Sequence, residues 1–385
     1  MKRGPGRLRA ALRQTSDTFH RWLGFTVGAI FVVGGLTGTM LAFYIEIEHN
    51  FYPHLQTANA RALPASYEAV FARLAQVPVN PAGRHWRIEI PPDGGVITSR
   101  YDALGQAVRI VSLDPVSLEV LRDARWGGTF FTWIYDLHMN LELGPPGKIA
   151  MGMLSAIMLV MLTCGAGNWL LAPGTLRSKF SFDRKANQAR RNYDLHKLTG
   201  GAMIPLLILV VGTGALISLP NQVRPILNLF SPLKPTDVPT NPTALPGALR
   251  LPVDRVLRIG AEAIPGSRVV WIHVPTSPRD VYDLRVRHPN APLTRFPKTH
   301  VFINQYTGNV LAVNNPKDDG LGDWILDWIV PLHDGKAFGM AGRIMVMILG
   351  LVPAILFLTG FARWNQKRKG RATGSRRRKE LDTQS

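Results

Sequence analysis

Residues 23–45, LGFTVGAIFVVGGLTGTMLAFYI, run for 23 positions without an Asp, Glu, Lys or Arg. At about 1.5 Å per helical residue such a run crosses the roughly 30 Å hydrocarbon core of a bilayer. Residues 149–172, 200–219 and 344–362 read the same way, apolar throughout and free of those four residue types. The chain is therefore expected to be an α-helical polytopic membrane protein with a four-helix transmembrane bundle, and a soluble enzyme is excluded. The first run is longer than the apolar core of a signal peptide, and Thr37-Gly38-Thr39-Met40 is followed by bulky residues. It reads as an uncleaved signal-anchor.

Charge orients these spans. The 385 residues carry 45 Lys+Arg against 26 Asp+Glu, a formal net charge of +19. Segments 1–22, 173–199 and 363–385 hold 22 of the basic residues and five acids, and so carry +17 of that total. Four spans put all three segments on one side, which the positive-inside rule makes the cytoplasm. The basic charge is thus a topology signal that also touches anionic membrane lipid, and nucleic-acid binding is set aside. The single cysteine, Cys164, lies inside the second span. It excludes a disulfide, a Cys-based zinc site, an Fe–S cluster and covalent haem attachment, and reads as a small buried apolar residue.

The long segments 46–148 and 220–343 face the other side. Each opens with an amphipathic helix, at 65–74 and 253–264. Each continues with three alternating runs, at 85–90, 96–101 and 107–113 and at 268–274, 281–286 and 300–303, which read as strands. Two small α+β domains are expected, with 232–246 as an extended tether before the second. The two segments also resemble each other. VSLDPVSLEVL (111–121) aligns with VFINQYTGNVL (301–311), and Trp133-Ile-Tyr-Asp-Leu-His138 with Trp328-Ile-Val-Pro-Leu-His333. His20 and Gly24 match His196 and Gly200, Thr37-Gly38 matches Thr213-Gly214, and Gly165 and Trp169 match Gly360 and Trp364. The chain reads as two copies of span, outer domain, span.

That duplication selects four of the ten histidines. His20 and His196 precede the first and third spans, and His138 and His333 the second and fourth. Each border of the membrane receives two imidazoles, one from each copy. Two neutral imidazoles fill both axial positions of a haem iron, and a four-helix bundle has the core for a flat macrocycle. Glycines 24, 28, 34, 35, 38, 200, 201, 212 and 214 would give that macrocycle room. A zinc or copper site would want three or four ligands where each border offers two histidines. His49, His54, His85, His273, His288 and His300 have no counterpart in the other copy and read as surface residues. Asp17, Asp136, Asp194 and Asp334 are candidates to accept the second ring N–H of the four histidines, Asp17 foremost, because only its three-residue spacing shares a helix face with its histidine.

The motifs Phe19-His20-Arg21-Trp22-Leu23-Gly24, Leu195-His196-Lys197-Leu198-Thr199-Gly200, Leu137-His138 and Leu332-His333 resemble those of the PepSY-associated transmembrane proteins, a family of iron-regulated inner-membrane proteins. The strand-turn-strand segments 111–121 and 301–311 add PepSY-like character, and the resemblance covers roughly residues 15–365. Within the family the chain is similar to the di-haem ferrisiderophore reductases, including the type handling ferrioxamine B. That resemblance implies a bacterial inner membrane, cytoplasmic termini and two periplasmic PepSY-like domains. It also implies two non-covalent, bis-His haem b groups, with His20 and His196 holding the cytoplasmic-side haem and His138 and His333 the periplasmic-side one. Electrons would pass to a ferric siderophore, releasing Fe(II). Pro331 stands where the first copy has Asp136, so the two outer histidines would sit on differently shaped turns.

The expected activity is that of a ferric-siderophore reductase in which the haems carry the redox chemistry and no side chain is catalytic. No nucleotide or flavin fingerprint occurs in the short basic segments, so quinol or a separate cytoplasmic reductase must supply the electron. Trp126, Phe130, Phe131, Trp133, Trp324 and Trp328 precede the outer histidines and read as an interfacial aromatic belt or as the lining of a substrate cleft. Three other readings stay open: a haem-bearing subunit serving another periplasmic partner, a non-enzymatic PepSY interaction module, and a transporter. The interaction module leaves the histidine pattern unexplained, and ion-coupled transport finds no ionisable residue within the spans.

Overall fold

The computed structural model describes residues 5–55, 59, 61–78, 83–103, 107–235, 238–241, 247–288, 297–315 and 319–382. In chain order the elements are α1 (Pro5–Leu41), α2 (Tyr44–Phe51), α3 (Tyr67–Ala75), β1 (Gly83–Glu89), β2 (Ile97–Ala103), β3 (Arg109–Leu113), β4 (Val120–Arg125), α4 (Phe130–Asn140), α5 (Gly144–Leu170), α6 (Leu176–Lys179) and α7 (Gln188–Ser218). They continue with α8 (Pro220–Asn228), α9 (Val253–Ala263), β5 (Arg268–Val274), β6 (Val281–Arg287), β7 (Thr299–Asn304), β8 (Val310–Asn314), α10 (Leu321–His333) and α11 (Gly339–Asp382). The chain divides into two compact units, a helical one (residues 1–42, 137–220 and 332–385) and a sheet one (43–136 and 221–331).

The helical unit contains four helices long and apolar enough to span a membrane, over Gln14–Leu41, Gly144–Leu170, Gln188–Ser218 and Lys336–Gly370. The first span ends four residues before the hydropathy run does. The chain turns at Ala42–Phe43 and starts α2, whose Glu46 is exposed and whose Glu48 pairs with Arg122 at 3.2 Å. Val27, Met158, Met161, Leu162, Leu207, Leu349 and Val352 fill the centre of the bundle. Other apolar side chains, such as Val33, Met153, Val160 and Leu358, are exposed, as lipid-facing residues are. Helices α1 and α11 touch backbone to backbone where two glycines meet. A Cβ on Gly35 would fall 2.3 Å from the Gly350 carbonyl oxygen, and one on Gly350 would fall 2.5 Å from that of Gly35. Thr39 Oγ1 donates to the Met347 carbonyl beside them at 2.8 Å, the small-residue packing expected between spans.

The sheet unit differs from the expectation of two separate domains of three strands. Each half has four strands, because the chain after the 114–119 and 304–309 turns returns as β4 and β8. The halves merge in an eight-stranded antiparallel sheet ordered β4-β3-β2-β1-β5-β6-β7-β8. The junction is β1 against β5, with Trp86 opposite Val274 and Ile88 opposite Ile272. Neither strand is an edge, so each buries its alternate apolar residues against one face of the sheet. There Val70 and Leu74 of α3 and Val253 and Val256 of α9 meet Ile88, Ile97, Val111, Leu113, Ile272, Leu284, Val301 and Ile303.

The two helices cap each other. The Ser66 hydroxyl accepts from the Glu68 and Ala69 N–H groups at the start of α3 and donates to Asp254 Oδ2. Asp254, in the first turn of α9, also accepts from the Tyr67 and Glu68 N–H groups at 2.8 and 3.1 Å. In return Glu68 accepts from the Val253 N–H at 2.7 Å and from the Arg250 guanidinium. Burial would raise the Asp254 pKa, but the hydrogen bonds from Ser66, Tyr67 and Glu68 outweigh it and hold the carboxyl below its ordinary value. A carboxylate depressed on folding stabilises above its unfolded pKa of about 3.9, and the contribution fades as pH falls through the folded value. Asp254→Ala is expected to destabilise the sheet unit by about 2 kcal/mol at neutral pH, with the gap to the native protein closing as pH falls through the folded value. Thermal unfolding across that pH range measures it.

Candidate functional site

The helical unit brings the four border histidines together as two pairs. His20 of α1 and His196 of α7 have ring centroids 6.2 Å apart at an interplanar angle of 84°. His138 of α4 and His333 of α10 are also 6.2 Å apart, at 50°. Gly38, which touches His138, lies 18 residues beyond His20 on α1, so the pairs are separated by about 27 Å of helix.

Each ring is seated the same way. It lies on a glycine of a neighbouring helix, and its Nδ1 reaches the main-chain carbonyl four residues earlier on that helix. His20 Cε1 is 2.9 Å from where a Cβ on Gly165 would be, and for His138 on Gly38, His333 on Gly214 and His196 on Gly360 the distances are 3.1, 3.0 and 3.5 Å. Nδ1 donates to the Met161 carbonyl from His20 (3.1 Å), to Gly34 from His138 (3.0 Å), to Val210 from His333 (2.9 Å) and to Leu356 from His196 (3.1 Å). A carbonyl can only accept, so the proton sits on Nδ1 and the Nε2 lone pair is left as a metal donor.

Threonines complete three of the four seats. Thr37, Thr213 and Thr359 each precede the seating glycine and donate their hydroxyl to their own helix's carbonyls. Their oxygens then accept from His138, His333 and His196 at 3.0, 3.3 and 3.0 Å. At the fourth seat the residue before Gly165 is Cys164.

These facts test whether the residues fit a haem. Two imidazole nitrogens in line with one metal atom, each about 2 Å from it, place the ring centroids about 6.3 Å apart. A direct imidazole–imidazole hydrogen bond would bring them to about 5.2 Å. Both pairs, at 6.2 Å, match the first separation, which edge-on ring contacts also adopt. Among the described residues no group of three or more His, Cys, Asp and Glu could hold a metal ion. Two-imidazole pairs therefore suit an iron whose equatorial nitrogens come with a macrocycle, and the residues fit the group.

Several expectations change. At each of the four histidines the main-chain acceptor at Nδ1 is a carbonyl rather than one of the four carboxylates. Asp17 is exposed, Asp136 accepts from the Trp126 indole N–H at 2.9 Å, Asp194 is buried between Arg190 and Lys197, and Asp334 pairs with Lys336. The rings project across to the next helix, where carbonyls are the acceptors within reach. Gly38 and Gly214 are ring seats rather than room for a macrocycle, Gly35 is a helix crossing, and Gly201 carries Trp169. Gly34 and Gly212 have no neighbouring atom within 4 Å of a built Cβ. Pro331 lies inside α10 and leaves His333 seated as His138 is.

In the sheet unit His273 and His300 are not loose surface residues, since both flank Asp283 at 3.3 and 2.8 Å. Burial favours a protonated Asp283, but the hydrogen bonds from His273 and His300 prevail and hold it far below the usual carboxylate range. His288 is half-buried, and the side chains of His49, His54 and His85 lie outside the described residues. Of the aromatics, Phe131 is buried and Phe130, Trp133 and Trp324 are exposed. Residues 236–237 and 242–246 of the expected tether lie outside the described residues. The seating glycines Gly165 and Gly360 were visible as matched positions of the two halves without a reason for the match, as were Thr37 and Thr213, whereas Thr359 carried no separate signal.

A four-span helical membrane protein with two histidine pairs in its bundle and an eight-stranded sheet unit is the class these observations define. The family model described as the PepSY-associated TM region matches residues 18–367, and the chain belongs to that family. No curated protein matches it.

Proposed function

We propose that this protein is an inner-membrane di-haem b electron-transfer protein that reduces ferric siderophore in the periplasm and releases Fe(II). The observation that carries the reading is the 6.2 Å separation of both histidine pairs, each ring fixed through Nδ1 with Nε2 left over. The basic segments then face the cytoplasm, with both termini there, and His20 and His196 form the cytoplasmic-side pair. His138 and His333 form the periplasmic-side pair, the sheet unit is periplasmic, and the chain is two copies of one span–domain–span unit. Haem iron, when bound, supplies reversible one-electron transfer at each pair. The chain's residues hold the rings in one tautomer, keep their spacing and surround them with the apolar core of the bundle.

A siderophore binds Fe(III) far more tightly than Fe(II), so one electron per iron releases the metal. Quinol or a cytoplasmic reductase supplies that electron. Protein reduced without oxygen and mixed with a ferric siderophore and a ferrous chelator is expected to reoxidise and to release two Fe(II) per chain. Haem that stays reduced with several ferric siderophores but reoxidises with a periplasmic extract would favour a subunit serving another redox partner.

A further inference from the structure

The four histidine seats are one design used four times, and one of them departs from it. His138, His333 and His196 each have two acceptors at Nδ1, a main-chain carbonyl and a threonine oxygen whose own proton is committed to its helix. His20 has the Met161 carbonyl at 3.1 Å, and the residue at the threonine position is Cys164. The correspondence is positional as well as chemical. Cys164 stands 26 residues after His138 and Thr359 stands 26 after His333, each directly before its seating glycine.

Sulfur is a weak acceptor where the threonine oxygen is a good one. An acceptor on Nδ1–H draws the proton away and makes the opposite nitrogen a stronger donor to a metal. A stronger axial donor stabilises the ferric state and lowers the reduction potential. We infer that Cys164 is a positioning residue that leaves His20 the weakest donor of the four imidazoles, setting the His20–His196 haem at a higher potential than a threonine there would give. The inference rests on the proposed di-haem reading. It adds an asymmetry in which the His138–His333 pair has four Nδ1 acceptors and the His20–His196 pair has three. The arrangement tunes the first acceptor of the electron to be easily reduced and the last to be a strong reductant.

Threonine and valine have the same shape, so the pair Cys164→Thr and Cys164→Val separates hydrogen bonding from packing. In spectroelectrochemical titration of the purified protein, Cys164→Thr is expected to shift one of the two haem potentials negative, by three- to tenfold in the reduction equilibrium. That is up to about 59 mV for one electron. Cys164→Val should leave both potentials in place, and Thr359→Val should move the same haem as Cys164→Thr in the opposite direction. Nitrogen NMR of the His20 ring supplies a second readout, in which Cys164→Thr deshields the Nδ1 proton and Cys164→Val does not. Equal potentials for the threonine and valine variants, or a shift confined to the other haem, would overturn the inference while leaving the di-haem reading intact. A protein without haem would overturn the di-haem reading and this inference with it.

Discussion

On the proposed di-haem reading, replacing His138 with alanine is expected to remove one haem per chain, to keep the other and to lower ferric-siderophore reduction by more than about 100-fold. Loss of a hydrogen-bond partner behind a metal ligand costs roughly 10- to 100-fold, and loss of the ligand itself costs more. His333→Ala is expected to give the same result, because the two rings form one pair, 6.2 Å centroid to centroid. His20→Ala or His196→Ala is expected to remove the other haem and to leave the His138–His333 pair loaded. Either change is also expected to abolish reduction driven by the physiological donor, while reduction by dithionite is expected to persist at the remaining haem. Haem content per chain and the rate of Fe(II) release together check all four. Retention of both haems in His138→Ala would break the pairing.

The second large effect is expected from glycines that touch only the histidine rings. A methyl group on Gly165 would stand 2.9 Å from His20 Cε1, on Gly214 3.0 Å from His333 Cε1, and on Gly38 3.1 Å from His138 Cε1. These approaches are tighter than ordinary contact, and the ring cannot yield without giving up its carbonyl. Overpacking of this kind costs about 1–3 kcal/mol, equivalent to a roughly 5- to 150-fold loss of haem affinity. Gly165→Ala, Gly214→Ala and Gly38→Ala are each expected to empty the pair they touch while the other stays filled. At Gly360 the nearest His196 atom is 3.5 Å away, an ordinary contact, so Gly360→Ala should retain both haems. Haem extraction from the four variants tests that ranking, and a loss confined to Gly360→Ala would contradict it.

Much of this was legible in the chain because the bilayer admits few solutions. A run such as 23–45 without a charge has one use, and Leu137-His138 matched with Leu332-His333 can be seen by alignment alone. Strands β1–β3 and β5–β7 announced themselves through alternation, as did α3 and α9 through their helical period. What stayed hidden depends on spatial neighbours. The pairing of β1 with β5 brings Trp86 opposite Val274 across nearly 190 residues of chain, and no local pattern encodes it. Helices α4 and α10 lay under an aromatic composition that suits a membrane border equally well. The second acceptors behind the histidines were sought among nearby aspartates because sequence shows only neighbours in the chain. In the structure those acceptors are Met161, Gly34, Val210 and Leu356, carbonyls more than 100 residues distant from their histidines. The threonine before three of the four seating glycines was present in Thr37-Gly38 and Thr213-Gly214, yet its purpose appears only when the ring across the helix boundary is in view.

The measurement that bears most directly on the account is the absorption spectrum of the detergent-purified protein from haem-replete cells, before and after dithionite, with haem quantified per chain. Sharp low-spin b-type bands and two haems per chain are the predicted result. A colourless protein, or one haem with a high-spin spectrum, would contradict it, because each pair of imidazoles would then lack the iron that its 6.2 Å spacing is proposed to hold.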